Sequence, residues 1–330
     1  MTKILMTSVR EDEEAAINAY AQQHQVEIDI SRDELHPDNL PDLRQYDGLI
    51  IQQTAKIGGD AAFYHTLVQQ GLRQITTRTA GYDMIEVALA QAAGLKVTNV
   101  PAYSPRSVAE MALMQIFRLL RRTWAFDARV AQHDFRWVGL QAREIHTVTV
   151  GIIGAGRIGS TLARLLHALG ARVLAYDVQP QPEYDTFLTY VDKETLLAES
   201  DVVSLHIDLN PSSVGLLSAA DFKRMPTHAG LVNASRGPVV NTADLIAALV
   251  TGEIEAAALD TVEGESAVFN RDLRQQGVVD QQIQQLLDLP NVIVTPHVAF
   301  YTNLAVQNMV EIALDDVLLI LNGQSAQHEI

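Results

Sequence analysis

The sequence contains no cysteine and is poor in basic and aromatic residues. Without cysteine, the protein cannot have a disulfide scaffold, a cysteine nucleophile or a thiolate metal site. Lysines and arginines number 24 against 40 aspartates and glutamates, so the net charge is −16. Non-specific binding to nucleic acid or to anionic membranes is therefore not expected, because both require a basic field. The ten histidines include no pair spaced i,i+4, which is the spacing that builds zinc sites on helices, and no metal is expected.

Long hydrophobic runs are also absent. The apolar stretch at residues 1–6 is too short for the core of a signal peptide, and no window reaches membrane-spanning length. A cytoplasmic protein that binds no membrane is the simplest expectation. The chain has 330 residues, of which 48% are hydrophobic, as is usual for a globular protein. A single core seldom grows beyond about 250–300 residues, so two domains are expected.

Strand-like and helical segments alternate along nearly the whole chain, a pattern typical of α/β proteins with parallel sheets. The first third has five predicted strands: Lys3–Val9, Val26–Ile30, Gly48–Gln52, Gln74–Thr77 and Lys96–Asn99. A second series has six: Val148–Ile153, Arg172–Tyr176, Val202–His206, Gly230–Asn233, Ala256–Asp260 and Val292–Thr295. Pro101 and Pro105 precede a long helical pattern, which places a joint near residue 100. A last helix is predicted over Asn303–Leu321.

A glycine motif follows the first strand of the second series. Gly154, Gly156 and Gly159 form a GxGxxG pattern between a buried strand and a helix. In a dinucleotide site the first glycine permits the tight turn and the second lets the backbone approach a pyrophosphate. The third lets the helix pack against the strand, and the helix N-terminus faces the phosphates. The motif therefore predicts a dinucleotide site.

The cofactor is predicted from the end of the next strand. Asp177 stands where a carboxylate accepts hydrogen bonds from the adenosine ribose, and it would repel a 2′-phosphate, so NAD is favoured over NADP. A merely structural glycine turn is the main alternative. FAD and S-adenosylmethionine sites share parts of the pattern.

Three later strands each end at a polar residue suited to catalysis. They lead to Arg236, to Asp260 with Glu263 and Glu265, and to His297. Ligands of open parallel sheets bind at the carboxyl ends of the strands, so these side chains could converge on a nicotinamide. Taken singly, each could be a solvated turn residue or a strand cap. Together, after a dinucleotide motif, they favour a catalytic site.

The sequence resembles the D-isomer-specific 2-hydroxyacid dehydrogenase family over its whole length, with motifs in order, and most closely the D-lactate dehydrogenase branch. The resemblance lies in six blocks: Asn233–Pro238, Asp260–Glu265, Thr295–His297, Arg78–Asp83, Asn99–Pro105 and Ala299–Thr302. Two departures are Ile207-Asp208, where the family often has valine and proline, and Arg106, where the branch often has a small polar residue.

The resemblance implies roles for the catalytic residues. Arg236 would bind the substrate carboxylate and polarise the keto oxygen, which suits a planar guanidinium. His297 would give a proton to that oxygen as hydride reaches the carbon, and take it back in reverse. Glu265 would hold the imidazole in one orientation and stabilise its protonated form; Glu265 is preferred to Glu263 because the family spacing from Asp260 falls there.

The resemblance also implies the binding residues. Besides the three glycines and Asp177, the NAD site would include Arg157, Ile158, Ile207, Asp208, Ser213, Ala234, Ser235 and Asp260. Backbone N–H groups near Ala80 and Gly81 would bind the substrate carboxylate. Together with Arg236 and His297, the substrate pocket would include the aromatic residues Tyr103, Phe300 and Tyr301. These aromatics could equally be ordinary packing residues. If they line the pocket, they favour a small side chain such as the methyl group of pyruvate.

The expected fold is α/β, with two doubly wound parallel-sheet domains. A flavodoxin-like substrate domain would comprise residues 1–102 and 300–330, and a Rossmann NAD domain residues 103–299. From the family we expect the active site in a cleft closed by a hinge, and a homodimer packed through Trp124–Val138. The expected activity is NADH-dependent reversible reduction of pyruvate to D-lactate. Alternatives are a D-2-hydroxyisocaproate-type dehydrogenase for larger 2-keto acids, or an NAD-sensing binding protein on the same fold. Short termini favour the enzyme.

Overall fold

The computed structural model describes residues 1–53, 55–58 and 60–330. They form two compact units. The first comprises Met1–Ser104 and Tyr301–Ile330, and the second is Pro105–Phe300. The sequence placed the boundaries at residues 102/103 and 299/300. The assignment of substrate binding to the first unit stays a prediction.

The described residues form twelve strands and eleven α-helices. The strands are β1 (Lys3–Met6), β2 (Glu27–Ile30), β3 (Gly48–Ile51), β4 (Gln74–Thr77), β5 (Lys96–Thr98), β6 (Thr149–Ile153), β7 (Arg172–Tyr176), β8 (Thr189–Tyr190), β9 (Val202–Leu205), β10 (Gly230–Asn233), β11 (Ala256–Leu259) and β12 (Val292–Val294). The helices are α1 (Glu14–His24), α2 (Ala61–Gln69), α3 (Val87–Ala93), α4 (Pro105–Leu120), α5 (Thr123–Ala131), α6 (Arg157–Ala168), α7 (Lys193–Glu199), α8 (Ala219–Phe222), α9 (Thr242–Thr251), α10 (Gln281–Asp288) and α11 (Asn303–Leu321).

All eleven predicted strands are present, and the predicted α/β fold class is confirmed. The first strand is shorter than predicted. It ends at Met6 because Ser8 has a positive φ of 53°, which takes the chain out of the extended conformation. The sequence did not predict β8, whose two residues are too few to show any periodicity.

The sheet of the first unit has the strand order β2-β1-β3-β4-β5, with every pair parallel. Its side chains alternate between two buried faces, as the period of a strand requires. Leu5 and Ile51 pack in the core with α2 and α3, whereas Ile4 and Ile50 pack in the core with α1 and α11. Burial on both faces explains why β3, which lies at the centre of the sheet and is buried throughout, has no polar side chain.

The sheet of the second unit has the order β12-β11-β10-β9-β6-β7-β8, also parallel throughout. One face is covered by α4 and α6, and the other by α7, α9 and α10. The chain proceeds from β6 to β7 in one direction and from β9 to β12 in the other. The strand order therefore reverses between β6 and β9, which is where doubly wound folds bind ligands. The glycine motif begins directly after β6.

Candidate active site

The glycine turn after β6 is closely packed where the motif requires it. Gly154 has a φ of +92°, and a Cβ there would lie 2.5 Å from the His206 carbonyl oxygen. A Cβ on Gly159 would lie 1.9 Å from the Gly154 oxygen. By contrast, a Cβ on Gly156 would meet nothing within 4 Å. The protein's own packing therefore does not require glycine at position 156, and the open space there leaves room for a ligand.

The Asp177 carboxylate lies beside this turn, at the end of β7. Its Oδ2 accepts a hydrogen bond from the Ala155 N–H at 2.7 Å, and its Oδ1 accepts one from the Gln179 N–H at 2.8 Å. Each carboxylate oxygen keeps a further lone pair, so two ribose hydroxyls could still donate to it. The carboxylate, the open position at Gly156 and the N-terminus of α6 fit a dinucleotide.

The other predicted cofactor residues, apart from Asp260, lie in three groups. Arg157 and Ile158 form the first turn of α6, and Ile207 lies against the turn, its Cγ2 2.5 Å from the position of a Gly154 Cβ. Asp208 is exposed and begins a turn that the Ser213 hydroxyl closes by donating to the Asp208 carbonyl at 2.8 Å. The remaining group follows β10. Contact of these residues with NAD stays a prediction.

The segment after β10 is ordered by one amide side chain. Asn233 Oδ1 accepts hydrogen bonds from the Ser235 N–H and hydroxyl, at 3.0 and 2.8 Å. Asn233 Nδ2 donates to the Arg236 carbonyl at 3.0 Å. Ser235 is therefore buried and fixed, while Ala234 and Arg236 remain partly exposed. The Asn233 amide thus sets the direction in which the chain enters Arg236.

His206 directly follows β9 and adds no positive charge to the site at neutral pH. Burial lowers the pKa of its imidazole to about 4. Its Nε2 lies 2.8 Å from the Ser204 hydroxyl. A neutral ring here avoids placing a buried cation next to the glycine turn.

His297 and Glu265 form a close pair. The His297 Nδ1 lies 2.6 Å from Glu265 Oε1, and the other Glu265 oxygen accepts the Val262 N–H at 2.9 Å. Their side chains are 30% and 17% exposed, so the pair is partly shielded from water. With Nδ1 held by the carboxylate, Nε2 is the nitrogen left to exchange a proton with a substrate.

The backbone at His297 is in an unusual conformation, with a φ of 54°. Asp260 stabilises this loop. Its Oδ1 accepts the Thr295 hydroxyl at 2.5 Å and the Val298 N–H at 3.1 Å, and its Oδ2 accepts the Ala299 N–H at 2.9 Å. The carboxylate is 1% exposed and so acts on the loop that positions the histidine. Sequence spacing gave no sign of this role, and the predicted contact between Asp260 and NAD stays a prediction.

Arg236 lies on a segment packed directly against the glutamate loop. A Cβ on Gly237 would lie 2.1 Å from the Val262 carbonyl carbon and 2.4 Å from the Glu263 nitrogen. Only glycine permits this approach. The Arg236–Gly237 turn therefore packs against the loop that begins at Val262. That loop leads to Glu265, which contacts His297.

The predicted substrate residues differ in their surroundings. The Phe300 ring meets the His297 ring edge to face, with centroids 6.4 Å apart. Tyr103 packs against the core of the first unit, and the half-exposed Tyr301 lies under the Arg10 guanidinium at 5.6 Å. Packing thus accounts for part of the surface of Tyr103. Its role in a pocket stays a prediction, as do those of Phe300 and Tyr301.

Residues 1–53, 55–58 and 60–330 contain no group of three histidine, aspartate or glutamate side chains that could hold a metal ion. No helix in the same residues has the length and apolar character needed to cross a bilayer.

Known proteins are similar to this chain in sequence and in fold. Residues 113–299 match the family model described as D-isomer specific 2-hydroxyacid dehydrogenase, NAD binding domain. The chain is 38% identical to the D-2-hydroxyacid dehydrogenase (NAD(+)) of Clostridioides difficile, over 99% of each chain. The chain belongs to the D-isomer specific 2-hydroxyacid dehydrogenase family.

Solved structures agree with this assignment. A D-lactate dehydrogenase from Sporolactobacillus sp. is 53% identical to this dehydrogenase, with a TM-score of 0.86 over 100% of this chain and 99% of that one. The D-lactate dehydrogenase of Lactobacillus jensenii, determined with NAD⁺, is 38% identical, with a TM-score of 0.89 over 100% and 99%. The predicted family and NAD as the cofactor are therefore confirmed.

Replacing Asp177 will shift the cofactor preference of this dehydrogenase. Asp177→Asn removes the charge and keeps one oxygen, which can still accept the Ala155 N–H of the glycine turn, while the exposed Gln179 N–H can bond to water instead. Repulsion between unit charges 4 Å apart is worth about 1–4 kcal/mol, so the ratio of kcat/KM for NADPH to that for NADH should rise about tenfold or more. Asp185→Asn, an exposed acid outside the turn, serves as control. An unaltered ratio in Asp177→Asn would remove the carboxylate from the ribose site.

Proposed function

We propose that this dehydrogenase catalyses the reversible NADH-dependent reduction of pyruvate to D-lactate. The observation that supports it most is the His297–Glu265 pair, 2.6 Å apart, whose glutamate loop packs against the turn of Arg236 in an NAD-binding domain. The names of the Sporolactobacillus and Lactobacillus relatives favour D-lactate as the product.

In this proposal, a proton and a hydride reach the two ends of the keto group. Bound NADH supplies the hydride, which adds to the carbonyl carbon. The carbonyl electron pair moves to the oxygen, and the oxygen takes a proton from protonated His297 Nε2. Glu265 holds the ring through Nδ1 and stabilises its cationic form before transfer. In reverse, neutral His297 removes the hydroxyl proton.

The substrate carboxylate is bound by groups other than the His297–Glu265 pair. Arg236 pairs with the carboxylate and polarises the keto oxygen, because its planar fork can donate two parallel hydrogen bonds. Backbone N–H groups near Ala80 and Gly81 also bind the carboxylate in this proposal. Tyr103, Phe300 and Tyr301 would line the pocket and limit the substrate side chain to one as small as a methyl group.

A panel of 2-keto acids tests the proposal directly. Pyruvate, 2-ketobutyrate, 2-ketoisocaproate and phenylpyruvate are reduced with NADH, and the products are resolved on a chiral column. We expect the highest kcat/KM for pyruvate and only the D-isomer of lactate. L-lactate as product, or no turnover of any member, would overturn the proposal.

A preference for larger 2-keto acids is the second candidate. The Clostridioides difficile relative bears the general name of D-2-hydroxyacid dehydrogenase, and the partly packed Tyr103 leaves fewer aromatic groups to narrow a pocket. A higher kcat/KM for 2-ketoisocaproate than for pyruvate in the same panel would favour this candidate.

We also propose a homodimer formed through the segment after α4. Its exposed apolar side chains are Phe126, Val130, Phe135, Trp137 and Val138, of which Trp137 is 85% exposed. The segment is held in place by Arg129, whose Nη1 donates to the carbonyls of Arg136 and Val138 at 3.2 and 2.8 Å. An ordered, exposed aromatic patch is typical of an interaction surface.

The dimer can be tested by light scattering after size-exclusion chromatography. At micromolar concentration the wild type should elute as a dimer, and Phe135→Ser with Trp137→Ser should shift it towards monomer. Val279→Ser is the control, since Val279 is 87% exposed but lies outside the patch. A monomeric wild type would contradict the proposal.

We place the enzyme in the cytoplasm, where NADH and 2-keto acids are dissolved. The lack of cysteine and the absence of a membrane-crossing helix among the described residues are compatible with that location. Activity recovered in the membrane fraction of lysed cells would contradict it.

A further inference from the structure

The loop after β4 has three consecutive carbonyl groups that are held in place. The Thr79 carbonyl accepts the Val100 N–H at 2.9 Å. The Ala80 carbonyl accepts Asn99 Nδ2 at 2.7 Å, and the Gly81 carbonyl accepts the Thr79 hydroxyl at 2.5 Å. Two of these three donors are side chains.

The N–H groups of the same peptides remain available. Those of Ala80, Gly81 and Tyr82 donate no hydrogen bond to any described residue, and Ala80 and Gly81 are partly exposed. The peptide bonds are trans, so each N–H points opposite to the carbonyl of the preceding residue. Holding the Ala80 carbonyl therefore fixes the direction of the Gly81 N–H. Successive N–H groups on one concave turn form an anion site.

The Thr79 hydroxyl has a defined direction. It donates to the Gly81 carbonyl, and it lies 2.6 Å from the hydroxyl of Thr77, which is fully buried. A hydroxyl has one hydrogen, so Thr77 must donate to Thr79. The resulting chain, Thr77 to Thr79 to Gly81, closes the turn from a rigid strand.

The loop is also anchored where it starts. Arg78 is fully buried and pairs with the buried Glu13, its Nε 3.0 Å from Glu13 Oε1. Its Nη groups donate to the carbonyls of Thr7 and Ser8, each at 3.2 Å. The start of the loop is thus fixed to the end of β1. The side chains of Asn99 and Thr79 hold only two of the peptides that follow, through the carbonyls of Ala80 and Gly81.

We propose that Asn99 and Thr79 are positioning residues for the substrate carboxylate. They hold the carbonyls of Ala80 and Gly81 away from the anion, so that the N–H groups of Gly81 and Tyr82, on the opposite sides of the same peptides, stay aimed at it. Without them these peptides can rotate and turn a carbonyl oxygen towards the carboxylate. This inference rests on the proposed reduction of a 2-keto acid and names the side chains that make its carboxylate site.

The test uses variants whose side chains keep the shape of Thr79 or Asn99 but have no hydrogen-bond donor. In Thr79→Val and Asn99→Leu, the KM for pyruvate should rise about five- to tenfold, which corresponds to the loss of one hydrogen bond. The kcat should change less than about twofold, because binding to the ground state and to the transition state is weakened equally. The Kd of oxamate, a non-reducible 2-keto acid analogue, for the enzyme–NADH complex should rise by the same factor.

Three controls separate positioning from general damage. Thr79→Ser keeps the hydroxyl and should restore the KM to within about twofold of the wild type. Thr66→Val removes a hydroxyl that bonds only within α2 and should change nothing. The Kd of NADH should stay the same in all variants, and circular dichroism should show folded protein.

The outcomes distinguish this inference from the function on which it rests. If the wild type reduces no 2-keto acid, the proposed function fails. If the wild type reduces pyruvate but Thr79→Val, folded as the wild type, keeps the wild-type KM and oxamate Kd, the positioning role fails while the function stands. A fall in kcat at unchanged KM would equally overturn it, since that result would place Thr79 in the chemical step.

Discussion

The His297→Gln enzyme will lose a factor of about 10²–10⁴ in kcat while still binding NADH. Glutamine can hydrogen-bond but cannot transfer a proton, and general acid–base catalysis by a positioned side chain contributes about that factor. Stopped-flow and steady-state reduction of pyruvate measure the loss, and NADH fluorescence measures cofactor binding.

The control is a histidine–carboxylate pair on the surface. His146 Nδ1 lies 3.6 Å from Glu144, and both side chains are more than half exposed, so His146→Gln should leave kcat unchanged. Glu265→Gln should lose less than His297→Gln, and adding it to His297→Gln should cost little more, because the two side chains act as a unit. Near-wild-type turnover in His297→Gln would refute its role.

Replacing Arg236 with lysine will lower kcat/KM for pyruvate by about 10- to 100-fold. The charge is kept, but lysine cannot form the two-pronged pairing with a carboxylate, and a hydrogen bond to a charged group is worth about 1.5–3 kcal/mol. The Arg236 Nη1 donates to the Ser235 carbonyl at 2.8 Å, but Asn233 and the close packing of Gly237 also hold this backbone, and neither contact involves the guanidinium.

Arg44→Lys gives the matched comparison, because Arg44 is an exposed arginine that pairs with Asp42 on the first unit. It should have wild-type kinetics. Unchanged KM and kcat in Arg236→Lys would exclude a substrate contact by that side chain.

Most of the fold could be predicted from the sequence because its strands are buried on both faces. A run such as Val202–Leu205 is apolar enough to be recognised without periodicity, and glycines such as Gly94 mark where helices end. The exceptions depend on tertiary context. β8 forms only because β7 offers it an edge, and β1 stops early at Ser8.

The catalytic residues could be predicted from strand ends and from family motifs, but not the contacts that position them. Asp260 holds the histidine loop through three donors, and the close approach at Gly237 joins two loops some 25 residues apart. Asn99 and Thr79 act on backbone carbonyls. Such bonds depend on distances between loops, which no spacing along the chain reveals.

The left-handed backbone at His297 has a consequence for engineering this enzyme. That conformation costs an L-residue with a side chain about 1–2 kcal/mol, which glycine avoids and asparagine partly avoids. Variant libraries selected only for thermal stability should therefore enrich His297→Gly and His297→Asn, which would be more stable proteins without catalytic activity. A selection for thermal stability in this dehydrogenase must therefore also include a test of catalytic activity from its first round.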